Sequence, residues 1–211
     1  GRHVERLAED GLIGLMFGNT PKAIPPWGGS KPLFGTNPIA FASPRETAAP
    51  LVIDMSLSKV ARGKVMVANQ LNEKIPEGWA IDKEGRPTTD AKKALEGAML
   101  PIGDAKGSAL ALMVEMLAAG LTGSNFGFEA SSFLNAEGDS PGVGQLIIAI
   151  DPSFFSGESF AERTETLVGA ILEQPATRFP GDRRIEKRKV REKSETITIS
   201  KDLYKKIELL T

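Results

Sequence analysis

Ser108-Ala109-Leu110-Ala111-Leu112-Met113-Val114-Glu115-Met116-Leu117-Ala118 reads as one helix, running on to Leu121, that is apolar almost all round. A helix without a polar face belongs at the centre of a core. Around it lie short apolar runs of strand length, at residues 12–17, 38–42, 51–54 and 145–150, the last stopped by Asp151-Pro152. The expected body is therefore mixed α/β, with the 108–121 helix buried against those strands.

Outward from this centre the chain is punctuated. Residues 18–37 carry Gly18, Pro21, Pro25, Pro26, Gly28, Gly29, Pro32 and Gly35, too many breakers for a regular element. Long structured loops of this kind are often functional. A helix is expected to begin near Ser56 or Ser58 and run toward Leu71. Asp82-Lys83-Glu84-Gly85 reads as a turn, and Asp90 as the cap of a short helix through Leu95. Beyond residue 153 only helical patterns remain, at 158–173 and from Ser200 to Leu210, joined by a charged stretch that begins at Arg178. Two parts are expected: an α/β domain over 1–152 and a helical C-terminal segment over 153–211.

Composition narrows the chemistry. The 211 residues are 41% hydrophobic and 25% charged, with a net charge of −1, so no whole-chain field draws the protein to nucleic acid or to an anionic membrane. No apolar run approaches the roughly 18 residues of a membrane span. With no cysteine, disulfides, thiolate nucleophiles and cysteine zinc sites are excluded, a usage that suits the cytoplasm. The single histidine, His3, reads as a solvated residue on an opening amphipathic helix. That helix, Gly1 to Gly11, has no initiating Met or N-cap residue before it, and a further upstream segment is expected.

Neither common nucleotide fingerprint is present: no Gly-x-Gly-x-x-Gly joins a strand to a helix, and Gly103-Asp104-Ala105-Lys106-Gly107-Ser108 lacks Walker spacing. The latter does open the apolar helix, where amide groups, the helix dipole and the Lys106 ammonium can meet a pyrophosphate. Taken alone, a helix entrance with a solvated lysine is the simpler reading. Asp54 ends an apolar strand, a position that suits a ribose hydroxyl or a helix cap equally. Ser56-x-x-Lys59 matches the Ser-Lys hydrolase nucleophile, but the accompanying Ser-Asp-Asn and Lys-Thr-Gly elements are missing. The basic cluster Lys187, Arg188, Lys189, Arg191 and Lys193 has no interleaved aromatic residues and reads as a solvated helix face. Trp27, beside Gly28-Gly29, suits either a wall for a planar ligand or packing for its loop, and packing is the expectation.

Several segments share a specific order: Pro26-Trp27-Gly28-Gly29, Gly35-Thr36-Asn37-Pro38, Leu51-Val52-Ile53-Asp54, Ala61-Arg62-Gly63-Lys64, Ile75-Pro76-Glu77-Gly78-Trp79, Leu100-Pro101-Ile102-Gly103 and Gly144-Gln145-Leu146. Together they resemble the type-2 malate/L-lactate dehydrogenase family, which includes ureidoglycolate, sulfolactate and diketogulonate enzymes and cyclic-imine reductases. The resemblance implies a non-Rossmann NAD or NADP site, usually in a homodimer, and a small 2-hydroxy, 2-keto or imino acid substrate. It places Asn19 near the nicotinamide end, Asp54, Met55 and Ser56 along the cofactor, Lys106 on phosphate, and Gly181-Asp182-Arg183 closing over it. Lys59, Arg62 and Lys64 are candidates for a 2′-phosphate. The family's Ser-His motifs, which carry its acid/base histidine, lie in a segment that precedes Gly1-Arg2, so no catalytic residue and no metal ligand is assigned. The resulting expectation is the cofactor-binding part of an oxidoreductase, inactive by itself and in need of a dimer partner or a separate N-terminal segment. A non-catalytic nucleotide-binding or dimerisation remnant is the alternative.

Overall fold

The computed structural model describes residues 1–135, 137–157, 159–194, 196–199 and 201–209. The chain divides into two units, Gly1–Glu165 and Thr166–Thr211.

The first unit is built on an antiparallel sheet of β1 (Ile13–Gly18), β2 (Ile39–Ser43), β3 (Leu51–Met55) and β7 (Gln145–Ile150) in the order β3-β2-β1-β7. Leu15 pairs with Phe41 and with Ile148, which fixes the register across the centre. Alternation of side chains gives the sheet two faces. One face is covered by α1 (Arg2–Glu9), whose Val4 and Ala8 are buried with Ala40, Ala42 and Val52. His3 is exposed on the outer face of this helix, as its position suggested. The other face carries Leu15, Phe17 and Ile39 into the larger core, which also holds Ile24, Leu57, Val65 and Val114.

That larger core is closed by α2 (Arg62–Gln70), α3 (Ala91–Glu96), α4 (Ala105–Glu115) and a small three-stranded sheet. The small sheet comprises β4 (Ala80–Ile81), β5 (Pro87–Thr88) and β6 (Ala98–Met99), in the order β5-β4-β6. Asp90 caps α3, its Oδ1 accepting the amides of Lys92 and Lys93 at 2.9 and 3.1 Å. A π-helical turn, Met116–Gly120, extends α4.

Three local expectations are corrected. The helix expected from Ser56 or Ser58 begins at Arg62, because the intervening backbone is engaged elsewhere. Leu57 N–H donates to Thr36 O at 2.7 Å and Lys59 N–H to Leu100 O at 2.8 Å, while Ser58 bridges Pro101. The helix α4 and its π turn are only half buried: Ala111, Val114 and Ala118 face the core, whereas Leu112 (50%) and Met116 (57%) are exposed. Apolar composition all round thus marks two surfaces, of which the first unit covers one. Trp27, 62% exposed at the tip of its turn, does not pack the loop.

The remaining elements are helical: α5 (Ser153–Ser156), α6 (Ser159–Leu172), α7 (Asp182–Glu192) and α8 (Lys201–Glu208). Residues 158, Ser200 and Leu210, expected as helix ends, lie outside the described residues. The second unit contains the end of α6 with α7 and α8. In it, Lys187, Lys189, Arg191 and Lys193 are exposed on or just beyond α7.

Candidate functional site

Two chain segments expected to hold a ligand are brought side by side by backbone pairing. Asp54 and Met55 end the edge strand β3 with exposed side chains. Ser56 follows, its hydroxyl 3.1 Å from that of Ser58. From there the chain runs antiparallel to residues 100–102: the Ser58–Pro101 bridge is flanked by Lys59 N–H to Leu100 O and by Ile102 N–H to Leu57 O at 2.8 Å. Because the two segments run in opposite directions, residues before Leu57 and after Ile102 share one end of the ladder. Asp54-Met55-Ser56 and Gly103-Asp104 therefore belong to the same neighbourhood.

The entrance to α4 is conformationally unusual. Gly103 has φ 60° and Asp104 has φ 54° with ψ −120°. An L-residue in that region is strained, by roughly 1–3 kcal/mol, and such strain is commonest at functional sites. Asp104 makes no side-chain cap bond, no acidic residue sits in the first turn, and Lys106 projects exposed from it. Amide donors, the positive end of the helix dipole and an ammonium are thus available to an anion.

A cavity of about 340 Å³ has walls that include Thr20, Lys22, Thr36, Arg62, Ser132 and Phe133. Thr36 enters it through the backbone bond to Leu57, and its own amide donates to Thr20 Oγ1 at 2.9 Å. Arg62 opens α2, whose N-cap Ala61 supplies no side-chain acceptor. Its guanidinium reaches Leu95 O only at 3.4 Å, and its Nε is buried without a partner. Burial lowers the Arg62 pKa, but a guanidinium remains charged at neutral pH. Among the described residues no carboxylate pairs with it. A half-buried cation that lines the same cavity as Thr20 and Thr36 is suited to a small carboxylate.

The cavity wall is held from behind by Glu115. Its Oε1 accepts from Gly35 N–H (3.1 Å) and Asn37 Nδ2 (2.9 Å), and its Oε2 from Gly127 N–H (3.0 Å) and Asn19 Nδ2 (3.4 Å). Glu115 is 2% exposed and Asn19 3%. The Asn19 amide also donates to Asn125 O at 2.8 Å and its Oδ1 accepts from Gly144 N–H at 2.8 Å. Asn19 is consequently engaged on both ends beneath the cavity, while its neighbour Thr20 lines it. Gly35 admits no side chain here: a Cβ would collide with Thr20 and with Asn37 Oδ1.

Gly181, Asp182 and Arg183 belong to the second unit. Gly181, left-handed at φ 95°, is the N-cap of α7; Asp182 Oδ2 accepts from Phe179 N–H at 3.1 Å, and Arg183 is exposed.

Sequence reasoning left Thr20, Thr36, Asn37 and Glu115 unassigned and gave Arg62 only a phosphate role. The available signals were an acid alone in an apolar helix and an arginine with no acid within one helical turn.

The family model described as malate/L-lactate dehydrogenase matches residues 1–208. The chain belongs to that family. Over 194 residues it is 59% identical to a (2R)-3-sulfolactate dehydrogenase (NADP(+)) of Chromohalobacter salexigens, covering 92% of this chain and 58% of the relative. A Delta(1)-pyrroline-2-carboxylate/Delta(1)-piperideine-2-carboxylate reductase of Pseudomonas putida is 45% identical over 208 residues, covering 98% of this chain and 61% of that protein. The crystal structure of delta1-piperideine-2-carboxylate reductase from Pseudomonas syringae pvar. tomato superposes with a TM-score of 0.90 at 41% identity, covering all of this chain and 63% of the other. This member of the malate/L-lactate dehydrogenase family thus spans about three fifths of the length of the relatives it matches.

Proposed function

We propose that the chain forms the dinucleotide-binding part of an NAD(P)-dependent oxidoreductase acting on a small 2-hydroxy or 2-keto acid, or on a cyclic imino acid. Residues 1–152 are the cofactor-binding part in this reading, and 153–211 a helical C-terminal segment. The observation that supports it most directly is the cavity of Thr20, Thr36 and Arg62, whose Thr36 is tied by its carbonyl to the amide of Leu57, the residue that follows Asp54, Met55 and Ser56.

The residues fit a dinucleotide in kind. Lys106 and the uncapped entrance of α4 offer a cation and amides to a pyrophosphate, and Asp54 offers a carboxylate to ribose hydroxyls. When bound, the nicotinamide supplies or accepts a hydride at its ring C4. Arg62 would hold the substrate carboxylate, with Thr36 and Thr20 orienting the adjacent oxygen by hydrogen bonds. Asn19, Asn37 and Glu115 would act on the ligand only by fixing the wall that carries Thr20 and Thr36.

The partner in this reading is a second copy of the chain. The edge strand β7 with Ile147 and Ile148, and the outer face of α4 with Leu112, Met113 and Met116, leave apolar surface uncovered, which accords with a homodimer. Among the described residues no helix is long and apolar enough to cross a membrane. A cytoplasmic setting is proposed from the lack of cysteine.

The test is fluorescence titration of NADPH and NADH, followed by hydride-transfer assays with malate, lactate, sulfolactate and cyclic imino acids. One dinucleotide should bind, and Arg62→Gln should leave that binding unchanged while weakening retention of a 2-hydroxy acid. Failure to bind either dinucleotide overturns the proposal.

A further inference from the structure

We infer that Ser58 is a positioning residue: it turns the Ser56 hydroxyl into a pure acceptor, which takes a ribose hydroxyl of the cofactor and refuses phosphate. The inference rests on the proposed dinucleotide site along Asp54, Met55 and Ser56.

A serine hydroxyl has one proton and two lone pairs. Ser58 is 3% exposed, and its Oγ lies 2.7 Å from Val60 O, which can only accept, so the Ser58 proton is spent there. In the 3.1 Å pair of Ser56 and Ser58 hydroxyls, Ser58 is therefore the acceptor and Ser56 the donor. That uses the one proton of Ser56 and leaves it lone pairs alone for a ligand. A hydroxyl that donates also accepts more strongly. Neither serine is free to turn away, because Leu57 N–H is held by Thr36 O at 2.7 Å and Lys59 N–H by Leu100 O at 2.8 Å. The Ser56-x-x-Lys59 spacing thus leads to Ser58 and not to the lysine, whose Nζ lies against Gly78.

The direction of this chain of hydroxyls selects the ligand group. Half-buried Ser56 follows exposed Asp54 by two positions, and both offer only acceptors. Two neighbouring acceptors match two neighbouring O–H donors, the vicinal diol of a ribose, and repel phosphate oxygens. Phosphate is left to the donor-rich entrance of α4 with Lys106.

The experiment is fluorescence titration with NADH and NADPH, and with analogues of whichever binds that lack one 2′- or 3′-hydroxyl on either ribose. For one ribose hydroxyl, wild type should bind the deoxy analogue about two- to tenfold more weakly than the parent, the value of one neutral hydrogen bond. Ser56→Ala should bind that pair alike, and which analogue it is tells the nicotinamide ribose from the adenosine ribose. Ser58→Ala should narrow the gap by weakening the parent and not the analogue, and should add nothing in the Ser56→Ala background. Ser58→Thr should restore the gap. A Ser58→Ala loss shared equally by parent and analogue is a structural effect and overturns the positioning role, as does an unchanged gap. Equal binding of the parent and every deoxy analogue by wild type overturns the role of Ser56 while the dinucleotide site stands. If neither NADH nor NADPH binds, the site itself fails and the inference with it.

Discussion

Asn37 and Glu115, 78 positions apart in the chain, meet through a 2.9 Å bond from the Asn37 amide to Glu115 Oε1. Asn37 is fully buried at φ 40°, and its second amide bond runs to Ala111 O at 2.9 Å. The same carboxylate collects three more N–H donors, so one α4 side chain organises the loop that carries Thr20, Lys22 and Thr36.

Glu115→Gln keeps the shape and replaces one acceptor oxygen by a donor amide that faces two N–H groups. Each mismatch leaves a buried donor unsatisfied, for a total loss of about 2–4 kcal/mol. Urea unfolding measures this as a lower midpoint at unchanged slope. A change below about 0.5 kcal/mol would remove the hub from the account.

Lys106→Ala is expected to weaken dinucleotide binding about ten- to a hundredfold, the value of one charge-assisted phosphate contact. Its effect should shrink at high salt, since Lys106 is exposed. Fluorescence titration at low and high ionic strength decides the matter.

Asp104→Gly should leave the fold as stable or raise stability by up to about 1 kcal/mol, because glycine accepts φ 54°, ψ −120° without a Cβ clash. Asp104→Val should destabilise it clearly. Thermal melts of the pair give the sign; equal destabilisation by both would mean that the Asp104 side chain, not its backbone, matters.

Acid should unfold the first unit through two carboxylates. Backbone donation from Arg86, with the Arg86 guanidinium bound to the other oxygen, holds Asp82 below the ordinary carboxylate range. Glu165 is held low by a bidentate bond from Arg45, at 3.0 and 2.7 Å. Both folded-state values lie below the unfolded ones, so their stabilisation is complete above the ordinary range near pH 4 and is lost as pH falls through the lowered values. Melting temperature followed downward from neutral pH should fall less steeply in Asp82→Asn, Glu165→Gln and the double variant.

Strand positions were readable because their signals are local. The run at 145–150 matches β7 residue for residue, and β1 and β2 are each offset by one. The start of α2 was not readable, because Leu57 and Lys59 spend their amides on Thr36 and Leu100, partners remote in sequence. Nor could the apolar run at 109–118 reveal which of its faces its own unit covers. At the site, Asp54 and Lys106 stood out as charges at element ends. Thr20 and Thr36 did not, because hydroxyls in a loop acquire meaning only when folding brings them to the same cavity as Arg62.

Among the described residues strand β7 has a neighbour on one side only, and it carries Ile147 and Ile148, both substantially exposed. An open edge bearing branched apolar side chains is a template for strand addition. During synthesis or refolding, before any partner arrives, that edge competes for other nascent chains, so soluble yield should fall with concentration. Ile148→Lys would act there as a gatekeeper, raising the soluble fraction through the unfolded and partly folded chain.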